Sequence, residues 1–243
     1  MWRANYGGYM SIRVNGVHHL AISTKDIKGQ IEFFSDVLGA ELVGLFWMHG
    51  VEGAWHAFCR LNDHCSIAFV ELPANHDIEP QIGVSHSGTA ERPSAPGTMQ
   101  HLAFNVDTTE ELLAMRDRIR SKGINVIGHI EHGICQSIYF GGPENVVLEV
   151  ATSDAAIDGD HWIDPEVVEL AGISAEELAR YRNPEPFVPD PAVSPLPQPP
   201  HDPDKPHLGY PEKMYRKMLE IPDEVIRANG SYPDPPVPYP TDD

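Results

Sequence analysis

Gly16-Val-His18-His19-Leu-Ala-Ile-Ser-Thr-Lys-Asp26 and Met99-Gln-His101-Leu-Ala-Phe-Asn-Val-Asp107 are two copies of one opening. Each reads His-Leu-Ala-apolar, then a short polar stretch, then an Asp that begins an amphipathic helix. In the first copy the alternation over residues 17–23 predicts a strand. Val17, His19 and Ala21 share one face, and His18, Leu20 and Ile22 the other. Ile27, Ile31, Phe34 and Leu38 then line one helix face, with Asp26 as N-cap and Gly39 as the C′ stop. Residues 41–48, 53–60 and 65–72 follow as strands, so the unit is β-α-β-β-β. The second copy has a strand at 102–106 and a helix opened by an Asp107/Glu110 capping box and lined by Leu112, Met115 and Ile119. Gly123 stops it, and strands follow at 124–130, 137–140 and 146–150. The last of these carries one carboxylate, Glu149, in an otherwise apolar run, where a charge is costly unless it is paired or metal-bound. Two histidines at the same place in two repeats, with one strand carboxylate, form the donor set of a mononuclear metal site.

The rest of the chain differs in character. It has 243 residues, 41% of them hydrophobic, enough for one or two domains with a real core. Seventeen of the 23 prolines lie beyond residue 183. The expected division is a paired-module domain over 10–152 and an extension over 153–243. Module one is 14–73, module two 99–152, and the linker 74–98 reads as a loop, a length that often carries function. In the extension, Asp164-Pro165 starts a helix and Ser174 with Glu177 forms a capping box. Residues 184–206 are too rich in proline for helix or sheet and read as polyproline II. A helix over 212–229 presents Met214, Met218 and Leu219, which suits an arm that docks on the cup or on a second subunit.

A net charge of -19 argues against nucleic acid, because such a surface repels phosphate. No apolar run reaches the roughly 18 residues that span a bilayer, and the first ten residues lack the apolar core of a signal peptide. Cys59, Cys65 and Cys135 are odd in number and lack metal-type spacing, which suits free thiols in a reducing cytoplasm.

The His-Leu-Ala openings and the Leu148-Glu-Val150 ending resemble the vicinal-oxygen-chelate superfamily over roughly residues 14–152. The resemblance implies an α+β fold, two β-α-β-β-β modules forming a cupped half-barrel around one metal. Ligands there come from first and last strands: His19, His101 and Glu149 here, with His18 the rival to His19. The fourth place falls near Ala68, which cannot bind metal; a shifted alignment would bring in Glu71 instead. Two His and one Glu leave open positions, as suits Fe(II), with Mn(II) or another divalent metal the alternative.

Ile130-Glu-His132-Gly-Ile-Cys-Gln-Ser-Ile138-Tyr139-Phe-Gly-Gly-Pro143-Glu-Asn-Val-Val-Leu-Glu149 is similar to the signature of extradiol ring-cleaving dioxygenases. His132, Ile138, Tyr139, Pro143 and Glu149 all fall in place. Gly142 and Asn145 depart from the pattern, both in the turn before the last strand. The resemblance implies catalytic roles for His132 and Tyr139, and an acid–base role for His86, fifteen residues before His101, with His76 its rival. The implied activity is cleavage of an aromatic diol by O₂ in a homodimer or higher homo-oligomer. The alternative is an isomerase, epimerase or lyase of the same superfamily using a divalent metal.

Overall fold

The computed structural model describes residues 5–6, 9–10 and 12–239. The chain divides into two compact units: Val17–Ile173, and the N-terminal segment through Gly16 with everything from Ser174 onward. In the second of these, the short strands β1 (Asn5–Tyr6) and β2 (Tyr9–Met10) pair with each other. The first unit holds both modules. Module one runs β3 (His19–Thr24), α1 (Ile27–Glu32), β4 (Glu41–Trp47), β5 (Trp55–Asn62) and β6 (Cys65–Glu71); module two runs β7 (Leu102–Val106), α2 (Thr109–Ser121), β8 (Val126–Glu131), β9 (Gln136–Gly141) and β10 (Val147–Thr152).

Each module is a four-stranded mixed sheet, ordered β3-β6-β5-β4 and β7-β10-β9-β8. First and last strands pair parallel and the others antiparallel, so the two copies share one topology. This is the α+β architecture expected from the repeat. Strand alternation sends Ile22, Ile67, Phe69, Ile138, Leu148 and Val150 into one buried core, where Phe34 and Leu112 from the two helices join them. The opposite faces carry His19 in module one and Tyr139 and Glu149 in module two.

Three local features depart from expectation, each for a physical reason. Helix α1 passes into a π-turn over Phe33–Val37, which puts Phe34 and Val37 into the core before Gly39 ends the helix at φ 83°. The capping box of α2 is Thr108/Glu111, one residue later than Asp107/Glu110, because extended Thr108 accepts from the Glu111 amide while the Glu111 carboxylate accepts from the Thr108 amide. The helix expected over 212–229 is two helices, α6 (Glu212–Leu219) and α7 (Asp223–Gly230), because Pro222 has no N–H to continue the ladder. Along the chain, module two is followed by α3 (Gly159–Trp162), α4 (Pro165–Leu170) and α5 (Ala175–Arg182), the last opened by the Ser174/Glu177 box. Among the described residues, no helix is long and apolar enough to cross a membrane.

Besides the shared core, two polar ties and one aromatic contact among the described residues join the modules. The Arg118 guanidinium of α2 donates to the carbonyls of Val37 (2.7 Å) and Asp36 (3.2 Å) at the end of the π-turn. At the other tie, Glu144 accepts from the backbone N–H of Lys25 (2.9 Å) and from the side-chain amide of Gln30 (2.8 Å). Phe34 meets Phe104 of β7 at 6.0 Å between ring centroids.

Candidate functional site

His101 immediately precedes β7, and Glu149 lies on β10, which pairs with β7 in parallel register. That register brings His101 Nε2 to 2.9 Å from Glu149 Oε2. The Gln100 side-chain oxygen accepts from His101 Nδ1. Nδ1 is thus turned to Gln100 and Nε2 to Glu149, an outer partner of the kind usual for a metal-binding imidazole. Glu149 is only 5% exposed on an otherwise apolar strand. On its other side β9 places Tyr139 directly opposite Glu149. Burial, and then the Glu149 carboxylate, push the Tyr139 phenol above its ordinary value, which keeps it a proton donor. The Tyr139 hydroxyl lies 3.1 Å from His132 Nε2. Four of the residues singled out in the sequence therefore form one continuous chain: His101, Glu149, Tyr139 and His132.

The loop carrying His132 is held from two sides. Its backbone N–H donates to the Cys135 carbonyl at 2.9 Å. Trp162 of α3 lies so close over Gly133 that a Cβ there would meet the indole at 2.7 Å, so only glycine fits. The two departures from the dioxygenase-like pattern also have local causes. A Cβ on Gly142 would meet Leu148 at 2.7 Å. Glu144 and Asn145 adopt φ of 54° and 65°, a conformation that Asn tolerates well and that costs Glu more. The hydrogen bonds of Glu144 to module one offset that cost and fasten the turn just before Glu149. Glu144→Ala should leave the buried Gln30 amide and the Lys25 N–H without their acceptor, a loss of about 2 kcal/mol. A thermal melt should show a midpoint lower by several degrees; an unchanged midpoint would refute the tie.

His19 is not brought into the same cluster. Its Nδ1 lies 2.9 Å from that of His18, and its ring packs edge-on to Phe58 at 5.5 Å. Among the described residues no group of three histidine, cysteine or acidic side chains converges closely enough to hold a metal. His18 precedes β3 and is exposed. Ala68 pairs with Ala21 on β3 and offers no donor. Glu71 is engaged elsewhere, accepting from the Ile27 amide at 2.8 Å and pairing with His76 at 3.0 Å. His86 sits on the linker loop, which Ser87 fastens beside His101 through a 2.6 Å bond to the Gln100 carbonyl. Its imidazole meets Ser85 at 2.8 Å and lines a cleft with Lys25, Asn75 and Glu144. A larger cavity of about 870 Å³, bordered by Leu20, Leu102, Phe104 and Met115, is lined by none of the six predicted site residues.

The donor pair suits a metal ion. Nitrogen and oxygen donors at about 2.1 Å from an ion and at right angles to each other lie about 3 Å apart, and the His101–Glu149 separation is 2.9 Å. Gln100, Ser87 and Glu144 were not legible as site residues. Gln100 alone had a signal, its adjacency to His101.

Residues 16–150 match the sequence model of the Glyoxalase/Bleomycin resistance protein/Dioxygenase superfamily. The chain belongs to that superfamily. Within it, biphenyl-2,3-diol 1,2-dioxygenase 3 of Rhodococcus globerulus is 22% identical over 138 residues, 57% of this chain and 63% of that protein. Biphenyl-2,3-diol 1,2-dioxygenase 2 of the same organism is 26% identical over 132 residues, 54% of this chain and 60% of that protein. The match thus spans about three fifths of the length of these curated relatives. Among solved structures, a superfamily domain from Frankia sp. EAN1pec aligns with 58% of this chain and 98% of its own (16% identity, TM-score 0.45). The fosfomycin resistance protein FosX of Listeria monocytogenes, solved with Mn(II) and sulfate, aligns with 63% of this chain and all of its own (18% identity, TM-score 0.41).

Proposed function

We propose that the chain is a non-haem Fe(II) dioxygenase of the extradiol type, acting on an aromatic diol or a related ortho-oxygenated aromatic. The observation that carries this reading is the chain His101–Glu149–Tyr139–His132, in which a donor pair at metal spacing leads directly into two proton-handling groups. A divalent metal without a dioxygen reaction would need the first pair but not the second. The sequence likeness to two biphenyl-diol dioxygenases supports the same reading.

In this proposal His101 and Glu149 would hold the metal, with His19 as the third donor. Iron bound there supplies the Lewis-acid and redox chemistry that allows a catechol to react with O₂. Tyr139, kept protonated by burial and by Glu149, donates a hydrogen bond to a substrate oxygen. His132 is within hydrogen-bond distance of the Tyr139 oxygen, so a proton can pass between them. His86, on the loop fastened to Gln100, is the third proton carrier. The partners are thus a small aromatic and O₂, with a second copy of the chain the expected assembly and the cytoplasm the expected compartment.

The test is anaerobic Fe(II) reconstitution followed by oxygen uptake with a panel of catechols and hydroquinones. His132→Ala should keep its iron yet lose turnover by about 10²-fold or more, as for loss of an acid–base group. Turnover at the wild-type rate in that variant would remove His132 from the mechanism. Metal retention with no oxygen uptake on any aromatic would favour a lyase or isomerase.

A further inference from the structure

On the face of module one turned away from the core, strand register lays out two neighbouring rows. Ala21, Ala68, Phe58 and Gly44 form one, and Ser23, Val70, His56 and Phe46 the next. Ala21 and Ala68 keep the floor of the first row low. Gly44 ends that row without a side chain, and a Cβ there would sit in ordinary contact with Phe46 and Phe58, both at 3.4 Å. The two phenyl rings stack nearly parallel at 6.0 Å, and His56 packs on Phe58 at 4.4 Å. Phe58 also meets His19 at 5.5 Å, so this aromatic floor begins at the expected metal donor.

Within it lies one unsatisfied group. The Nε2 atom of His56 is buried and has no hydrogen-bond partner, alone in this among buried side-chain nitrogens and oxygens of the described residues. A buried polar atom without a partner costs about 1–3 kcal/mol, and such atoms are rare in folded proteins unless something else satisfies them. The Phe46 and Phe58 rings, whose centroids lie 5.7 and 4.4 Å from that of His56, cannot, and the neighbouring imidazoles of His19 and His49 act on it only by disfavouring its charged form.

We propose that the Phe46–Phe58 floor is a slot for the part of an aromatic substrate remote from its reacting oxygens, and that His56 Nε2 recognises an oxygen carried on that part. The proposal rests on the aromatic-substrate reading above and adds to it a substrate class, a ring bearing a polar oxygen substituent. A site built to hydrogen-bond such an oxygen discriminates against the isosteric alkyl group, because binding the latter leaves the nitrogen buried and unpaired.

Binding is measured anaerobically on the full chain, by isothermal titration, with 4-hydroxymethyl- and 4-(2-hydroxyethyl)catechol against 4-ethyl- and 4-propylcatechol. These pairs differ by one oxygen in place of one methyl group. Wild-type protein should favour at least one hydroxylated member about fivefold or more. His56→Phe should bring that ratio to about one, and His56→Gln, which keeps a hydrogen-bonding group, should restore part of it. Equal affinities in the wild type, or a ratio that survives in His56→Phe, would overturn the proposal. Should His56→Phe fail to fold, the wild-type ratio and the Gln variant decide. Benzyl alcohol and 2-phenylethanol, titrated into metal-free protein, separate the two readings. Binding of either alcohol that weakens in His56→Gln upholds the slot even when no catechol binds. Absence of binding by every probe overturns both.

Discussion

Glu149→Ala is expected to abolish stoichiometric metal binding and to lower catechol-dependent oxygen uptake by about 10³-fold. Groups that only orient a metal ligand are worth about 10- to 100-fold in affinity or activity, and a ligand itself is worth more. Stability should fall as well: metal-free Glu149→Ala should melt below metal-free wild type, because it leaves the His101 imidazole and the Tyr139 phenol without the buried carboxylate that faces them. Adding Fe(II) or Mn(II) should raise the wild-type midpoint, by an amount that grows with metal concentration over Kd, and leave the variant unmoved. His101→Ala should behave alike, and His19→Ala should too if that imidazole is the third donor. A variant at Glu149 that still binds one equivalent of metal would sink the site.

The adjacency of His101 and Glu149 was legible because strand pairing is regular. Once β7 and β10 are adjacent and parallel, His101 and Glu149 share a face, and period-two alternation is enough to see it. Tyr139 and His132 came instead from the dioxygenase-like signature, and they lie one strand further and then around a hairpin. The contacts that support them were hidden because they depend on where loops cross the sheet. Ser87 reaches Gln100 across the linker, and Glu144 reaches Gln30 across the module boundary, and neither spacing is periodic. Side-chain torsions were equally out of reach. His19 was placed on the correct strand and face, but which neighbour its ring meets depends on a rotamer that alternation does not determine. His56 was passed over altogether, since its significance lies in a missing partner and not in a motif. In the extension, the amphipathic pattern over 212–229 was real, but Pro222 divided it, a local steric rule that overrides periodicity.

Phe34→Ala should be the most damaging single change to the fold. The ring is 1% exposed and meets Phe69 of its own module at 4.9 Å and Phe104 of the other at 6.0 Å, both edge-on. Removing it deletes a whole aromatic side chain from the shared core, and the surrounding sheets cannot close over the gap, a loss of about 3–5 kcal/mol. Against a typical total of about 5–15 kcal/mol this is a large fraction, equivalent to about 10 °C or more in the melting midpoint for a unit of this size. The site should suffer as well, because Phe104 lies on the strand that follows His101 while Phe69 lies beside the strand that carries His19. Metal affinity should fall along with stability, although no metal donor has been touched. Phe34→Leu, which refills most of the volume, should recover most of both. A midpoint within about 2 °C of wild type in Phe34→Ala would mean that the two modules hold their relative position without the aromatic contact. In that event the rest of the shared core, with the Glu144 and Arg118 ties, would hold the modules together.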